Sequence, residues 1–230
     1  MLKNITLILF GFFCILIVHP IYGEEKKETN FSMEKGLVFT PSSTSNSKTT
    51  SSEISKIQDF AVFIPLSNSL CLSNNPWALG QTRLVEDQVL TEKDCFSLQL
   101  SVNEDGYVFL FSHADNGKTF RLFPNSCNAL GNISNRLSAN KILSLPKNSK
   151  NELMAIGLDE TTGKEHLYAI IVKTKKTQLA LLDLIEEIPD VCNSEADQKF
   201  SANYLQTQFT NFKKVYSTEF EWTSFRFNHQ

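Results

Sequence analysis

The stretch Asp105–Asn125, which reads DGYVFLFSHADNGKTFRLFPN, indicates a β-hairpin whose first strand lies in the middle of a sheet. Tyr107–Phe111 is apolar at every position, which is typical of a strand that is buried on both faces. Asn116-Gly117 is a strong hairpin signal because both residues tolerate a positive φ. Thr119–Phe123 then returns as the second strand. The stretch therefore predicts two antiparallel strands joined by a tight turn.

Further short strands on both sides of the hairpin predict a mainly β fold; they are Phe60–Pro65, Cys95–Val102, Ile142–Leu145, Leu167–Val172 and Thr218–Phe227. Cys95–Val102 alternates between apolar and polar residues, as a half-buried strand does. In the last strand the aromatic residues change phase after Trp222. A shift of one residue moves side chains to the opposite face, so we expect a β-bulge at Thr223-Ser224 that restores the alternation.

Two helices are predicted late in the chain. Thr177–Ile188 has an apolar face and is stopped by Pro189. Glu195–Lys214 carries an apolar stripe at helical spacing, with Ser194 as its cap. The predicted fold is therefore a β-sandwich-like (immunoglobulin-like) domain over residues 57–230, with two C-terminal α-helices. We expect Trp77 to anchor its core.

The N-terminus has the features of a secretory signal. Lys3 precedes the 14-residue apolar run Ile5–Val18, and Gly23 offers a small residue for cleavage. A retained membrane anchor is the alternative, but a spanning helix needs about 20 apolar residues. We expect Met1–Gly23 to be cleaved and the protein to be periplasmic or secreted.

The segment 24–56 has the composition of a flexible linker. Between Thr40 and Ser55, 11 of 16 residues are Ser or Thr. Such a stretch buries too little apolar surface to offset its ordering entropy. We therefore expect a disordered tether between the leader and the domain.

Export predicts disulfides among the four cysteines that remain after cleavage, which are Cys71, Cys95, Cys127 and Cys192. Three pairings are open, and loop-closure entropy does not choose among them. Proximity in the sequence favours Cys71–Cys95 together with Cys127–Cys192. A metal site is the alternative, but the chain has no Cys-x-x-Cys spacing. We expect neither a metal nor a cofactor.

Composition and motifs argue against several function classes. A net charge of −3 without a basic run provides no electrostatic footprint for nucleic acid or for anionic lipid. The sequence has no Gly-x-Ser-x-Gly elbow, no P-loop and no Gly-x-Gly-x-x-Gly motif. We therefore expect no catalytic residues, no nucleic-acid partner and no stable membrane insertion after cleavage.

The remaining acid–base candidates are few. His113, on the central strand, and His166, next to Glu165, are the only candidates for acid–base chemistry inside the domain. Neighbouring residues on a strand point to opposite faces, so this adjacency does not bring Glu165 and His166 together. Asp105 and Asp115 have the chemistry of a glycosidase carboxylate pair, but each lies in a Gly-containing turn, where Asp is favoured for local hydrogen bonding. A structural or solvent-exposed role is the preferred interpretation of the two histidines, and turn formation is preferred for the two aspartates.

The hairpin also resembles a known family. Asp105–Phe111 and Gly117–Asn125 are similar to the family catalogued as domain of unknown function 4384, and Leu145-Pro146 and Gly163–Ala169 extend the resemblance. The similarity runs from about Cys95 to Ile188. It implies a β-sandwich-like module of exported bacterial proteins, without an established activity or agreed catalytic residues.

Together these observations predict an exported, non-catalytic binding module with a protein or glycan partner. The loop residues expected nearest to that partner are Asp105, Asn116, Arg121 and Asn125. Two other classes stay open. One is an exported hydrolase that uses His113 or His166, and the other is an envelope structural or virulence-associated surface protein.

Overall fold

The computed structural model describes residues 55–230, apart from 72, 74, 127–132, 149, 159, 161 and 194–198. The predicted leader Met1–Gly23 and all of the predicted linker except its last two residues lie outside this part of the chain. The strands within it are β1 (Ile57–Pro65), β2 (Gln81–Arg83), β3 (Val89–Leu90), β4 (Cys95–Val102), β5 (Gly106–Ala114), β6 (Thr119–Phe123), β7 (Arg136–Leu137), β8 (Ile142–Leu145), β9 (Ile156–Gly157), β10 (Gly163–Val172) and β11 (Phe220–His229). The helices are α1 (Lys175–Leu184) and α2 (Tyr204–Val215), with a short 3₁₀ turn at Asn68–Leu70.

The strands form two sheets. Sheet 1 has the order β2-β1-β4-β8, with β9 also paired to β4. Sheet 2 has the order β3-β11-β10-β5-β6, with β7 also paired to β5. The predicted hairpin is confirmed, since β5 and β6 are antiparallel with Phe111 opposite Arg121 and His113 opposite Thr119.

Three layers result, because sheet 2 is covered on both faces. Alternate residues of β5, such as Val108 and Leu110, pack with the apolar face of sheet 1 in one core. Phe109 and Phe111 point the other way, into a second core with residues of α1 and α2. This explains why the sequence of β5 is apolar at consecutive positions. The mainly β, sandwich-like fold with C-terminal helices is confirmed.

The predicted β-bulge in β11 is wrong. The pairing of β11 with β10 runs without a register shift from Phe220 opposite Val172 to His229 opposite Gly163. The change of phase instead divides the strand between the two cores. Phe220 belongs to the helix-side core, whereas Phe225 and Phe227 belong to the core between the sheets. An aromatic phase change marks a strand that is covered on both faces along its length.

The predicted start of the second helix is also wrong, because α2 begins at Tyr204. The proposed cap Ser194 lies outside the described residues. Just before the helix, Lys199 forms a β-bridge with Lys118, and the Phe200 N–H donates to the Gly117 carbonyl at 2.8 Å. Backbone groups that pair with the edge of the hairpin are not available for a helical turn.

Gly117 is fixed by the same contact. Its φ is +86°, a left-handed conformation that glycine adopts without a steric penalty. A Cβ atom at this position would lie 2.7 Å from the Phe200 carbonyl oxygen. The Asn-Gly turn therefore serves both the hairpin and the segment that leads into α2.

The outer face of sheet 1 carries a smaller cluster. Trp77 is half-buried there beside Ala61 and Phe63, and its indole Nε1 donates to the Leu153 carbonyl at 3.2 Å. Trp77 therefore anchors this satellite cluster rather than the main core, which corrects the prediction. Among the described residues, none of the helices is long and apolar enough to cross a membrane.

Candidate functional site

The four residues predicted to lie nearest a partner do not form one surface. Asp105 and Asn116 are exposed, but they flank opposite ends of β5, roughly 30 Å apart along a strand that rises about 3.3 Å per residue. Both accept hydrogen bonds from backbone N–H groups, Asn116 within its own turn and Asp105 from a distant loop. Asp105 accepts from the Ala139 N–H at 2.9 Å, and Asn116 accepts from the Lys118 N–H at 2.9 Å. The same separation prevents Asp105 and Asp115 from acting as a carboxylate pair.

Arg121 and Asn125 are held within the fold. The Arg121 guanidinium lies 3.2 Å from the Asp190 carboxylate, and the exposed fractions of the two side chains are 24% and 12%. Asn125 donates to the Leu122 carbonyl at 2.8 Å. These contacts tie the segment around Asp190 to the outer edge of β6, where the Arg121 N–H also donates to the Pro189 carbonyl.

The two candidate acid–base residues, in contrast, are brought together. His113 and His166 are directly opposite on β5 and β10, and their ring centroids are 6.5 Å apart. Both point to the helix side of sheet 2. They continue a polar row that runs from Arg226 on β11 to Thr119 on β6.

The inner half of this row is inaccessible. His113 is 1% exposed, and its Nδ1 lies 2.6 Å from the hydroxyl of Thr119, which is 0% exposed. A hydroxyl beside an imidazole has the composition of a nucleophile and base. Burial of both groups keeps them from a substrate. Glu165 lies on the opposite face of the sheet, as the alternation predicted, and is also buried.

The outer half of the row is more open. Burial lowers the pKa of the His166 imidazole below its ordinary value, while the nearby Asp115 carboxylate opposes that shift. Arg226 forms a bidentate pair with Asp87, with nitrogen–oxygen distances of 2.8 and 2.9 Å. This pair and its hydrogen bonds lower the pKa of Asp87. The row is thus a chain of partnered groups.

A different site, which the sequence analysis did not identify, lies between α2 and β11. It is an open groove of about 540 Å³ lined by Thr210, Lys213, Lys214 and Trp222. We call this the α2–β11 groove. Lys213 and Lys214 are exposed in the last turn of α2, and Trp222 is half-buried on the helix side of β11.

Packing beneath the groove holds its floor in place. The Trp222 ring lies 6.2 Å from Phe209 and 5.9 Å from Tyr168, measured between centroids. Phe209 is fully buried on the inner face of α2, so the flank that carries Thr210 and Lys213 faces outward beside Trp222. One aromatic ring and two exposed lysines therefore line the same groove. The signal in the sequence is the Lys213-Lys214 pair, which by itself is also explained by the helix dipole, because cations are favoured near a helix C-terminus.

The predicted cysteine pairing is supported for one pair. Cys71 and Cys95 are disulfide-bonded, with a Cα–Cα distance of 5.5 Å. Cys192 is disulfide-bonded as well. Cys127 lies outside the described residues, so the Cys127–Cys192 pairing stays a prediction. Among the described residues, there is no cluster of three or more histidine, cysteine or acidic side chains arranged to hold a metal ion.

The fold and site describe a two-sheet module with a helix layer and an edge groove. Residues 89–175 match the family model described as Domain of unknown function (DUF4384). This match confirms the family resemblance seen in the hairpin, over less than half of the chain. No curated protein and no solved structure matches the chain.

The matched stretch contains β3 to β10, and therefore parts of both sheets. It stops at the first residue of α1, whereas the sequence comparison extended the similarity to Ile188. The α2–β11 groove lies entirely beyond the matched residues.

Proposed function

We propose that this chain is an exported, non-catalytic binding module that works in the periplasm or outside the cell. The observation that carries the proposal is the α2–β11 groove, in which Trp222 lies beside two exposed lysines. An aromatic ring supplies a large, rigid contact area, and ammonium groups attract the anionic groups of a partner. A protein or a glycan with acidic groups fits this combination.

Export is supported by two independent features. Lys3 and the apolar run Ile5–Val18 have the order of a secretory leader. The disulfide between Cys71 and Cys95 agrees with an oxidising compartment, because such bonds are rare where thiols are kept reduced.

A binding role has more support than the hydrolase alternative. His113 is buried with Thr119, and His166 faces Asp115 and Arg226 rather than an exposed nucleophile. The carboxylates in the turns of the hairpin are too far apart for a shared reaction. The open groove, by comparison, already presents contact area to the solvent.

Photo-crosslinking from the groove tests the proposal directly. Thr210 is replaced by a benzophenone amino acid in the full chain, which is then expressed in its native host and irradiated. We expect a discrete adduct in the periplasmic fraction or the medium. The same amino acid at Val215, which is 73% exposed on α2 but does not line the groove, is the matched control. Equal labelling from both positions, or an adduct confined to the cytosol, would argue against the proposal.

A further inference from the structure

The outer edge of β11 is open along its middle. In sheet 2, β11 is followed only by β3, which pairs with Asn228 and His229. Among the residues that the structure describes, no strand other than β10 is paired with Trp222–Ser224. An unpaired edge presents a row of N–H and C=O groups that a further strand can use.

The direction of the backbone groups in β11 follows from its contacts. The Arg226 carbonyl accepts from Asp87, and the Asn228 N–H donates to Gln88, so these two residues face away from β10. Backbone direction alternates along an antiparallel strand. Trp222 and Ser224 lie four and two residues before Arg226, so their N–H and C=O groups also point away from β10. Two such residues offer four main-chain hydrogen bonds.

The side chains beside this edge set the chemistry of an added strand. Trp222 and Ser224 point to the helix side of β11, where Lys213 and Lys214 stand on the flank of α2. An extended peptide at the edge would place every second side chain against this basic flank, because strand side chains alternate.

The acidic groups near the edge are already engaged. The Glu221 carboxylate accepts from the Lys56 N–H at 2.8 Å and from the Ser55 hydroxyl. The Glu219 carboxylate accepts from the hydroxyls of Thr174, at 2.6 Å, and Thr177. Among the described residues, the hydrogen-bond partner of the Lys214 ammonium is a neutral group, the Asn211 amide oxygen, at 3.0 Å. Near this edge the carboxylates already accept hydrogen bonds, whereas the lysines are exposed cations, in a chain whose net charge is −3.

We propose that the α2–β11 groove binds an extended acidic peptide segment of a partner protein, which adds as a strand to the edge of β11. This inference rests on the proposed binding function and specifies its partner. Main-chain hydrogen bonds to Trp222 and Ser224 hold the peptide, and its alternate acidic side chains pair with Lys213 and Lys214. The Trp222 ring supplies an apolar contact to the peptide.

The test uses a capped hexapeptide that alternates glutamate with valine, measured by calorimetry against the leader-free protein at low salt. We expect saturable binding that weakens as salt is added, because exposed charges are screened. A peptide in which lysine replaces glutamate is the charge control. A third peptide keeps the glutamates but carries N-methyl groups on alternate backbone nitrogens, which prevents strand pairing.

Two protein variants and one control variant separate the contribution of charge from that of the main-chain hydrogen bonds. Lys213→Glu/Lys214→Glu should weaken the acidic peptide by about tenfold or more, since two favourable pairs become repulsive. Lys141→Glu/Lys150→Glu makes the same charge change at exposed sites outside the groove and should alter binding by less than about twofold. Ser224→Pro removes one outward N–H, a change that an edge strand tolerates, and should abolish binding. Circular dichroism verifies that each variant is folded.

Several outcomes would overturn the inference. One is that the N-methylated peptide binds as tightly as the acidic peptide. Another is that the groove variant and the control lysine variant lose the same affinity, and a third is that the acidic peptide does not bind the folded protein. Dimerisation that Ser224→Pro abolishes would assign the edge to a second copy of the chain instead. A groove-specific crosslink to a partner without affinity for the acidic peptide would contradict this inference but leave the proposed binding function intact.

Discussion

Replacing Phe209 with alanine tests whether the helix layer is part of the folded core. Phe209 is fully buried, and its ring centroid lies 5.5 Å from Phe111, 5.8 Å from Tyr168, 6.3 Å from Phe220 and 6.2 Å from Trp222. It therefore joins α2 to three strands of sheet 2. Removing a ring from such a site costs about 3–5 kcal/mol, which includes the lost transfer free energy and the cavity. That is a large part of the roughly 5–15 kcal/mol by which a domain is stable.

Urea unfolding followed by tryptophan fluorescence and circular dichroism measures this loss. We expect the midpoint to fall, together with a decrease in melting temperature of about 6–20 °C for a domain of this size. Val215→Ala, on the exposed side of the same helix, should change the free energy of unfolding by less than about 0.5 kcal/mol. A loss below about 1 kcal/mol for Phe209→Ala would mean that α2 does not pack on sheet 2 as described.

Three further predictions concern single contacts. Asp190→Ala leaves the half-buried Arg121 without its carboxylate partner and should lower the free energy of unfolding by about 1–3 kcal/mol. Asp105→Ala removes a partner from an exposed ion pair and should lower it by less than about 1 kcal/mol. Equal losses in thermal melts would argue against a stabilising Arg121–Asp190 pair. Because the pKa of His166 is lowered in the folded protein, the unfolded chain binds a proton at this residue more readily. The contribution of neutral His166 to the free energy of unfolding is therefore fully present above about pH 6.5, and it is lost as the pH falls through the pKa of the folded protein. NMR titration should therefore place the His166 pKa below 6.5, and a value above it would contradict the burial described. Cys71→Ser/Cys95→Ser opens a loop with a sequence separation of 24 and should cost about 3.5 kcal/mol, and an unchanged midpoint in urea would refute a stabilising disulfide.

Local chemistry made part of the fold predictable. The Asn116-Gly117 turn and the residues around it specify β5 and β6, because both the turn and the alternation act over a few residues. The observed bounds of β6 and β8 are those expected from the sequence. The short strands β3, β7 and β9 were not predicted, since two residues carry no periodic pattern.

Other features depend on contacts between distant parts of the chain. The bulge expected in β11 assumed one covered face, but α2 covers the face that sheet 1 does not. The late start of α2 follows from the pairing of Phe200 with Gly117, more than eighty positions earlier.

The candidate site was hidden for the same reason. Nothing in the local sequence of Trp222 indicates that β11 lies near the edge of sheet 2, because strand order is a tertiary property. The exposed loop residues Asp105 and Asn116 were chosen for their turn chemistry. In the structure Asn116 accepts a hydrogen bond within its own turn, whereas Asp105 accepts one from Ala139, 34 positions later. The lysines of α2 come to line a groove with Trp222 only because α2 packs on β11.

The N-terminal sequence and thiol state of the chain isolated from its native host test export most directly. Fractionation, mass spectrometry and alkylation without reductant are applied to the same sample. The proposed function predicts a chain that begins at Glu24, outside the cytosol, with Cys71 and Cys95 resistant to labelling. A cytosolic chain that retains Met1–Gly23 and carries labelled thiols at both positions would contradict it.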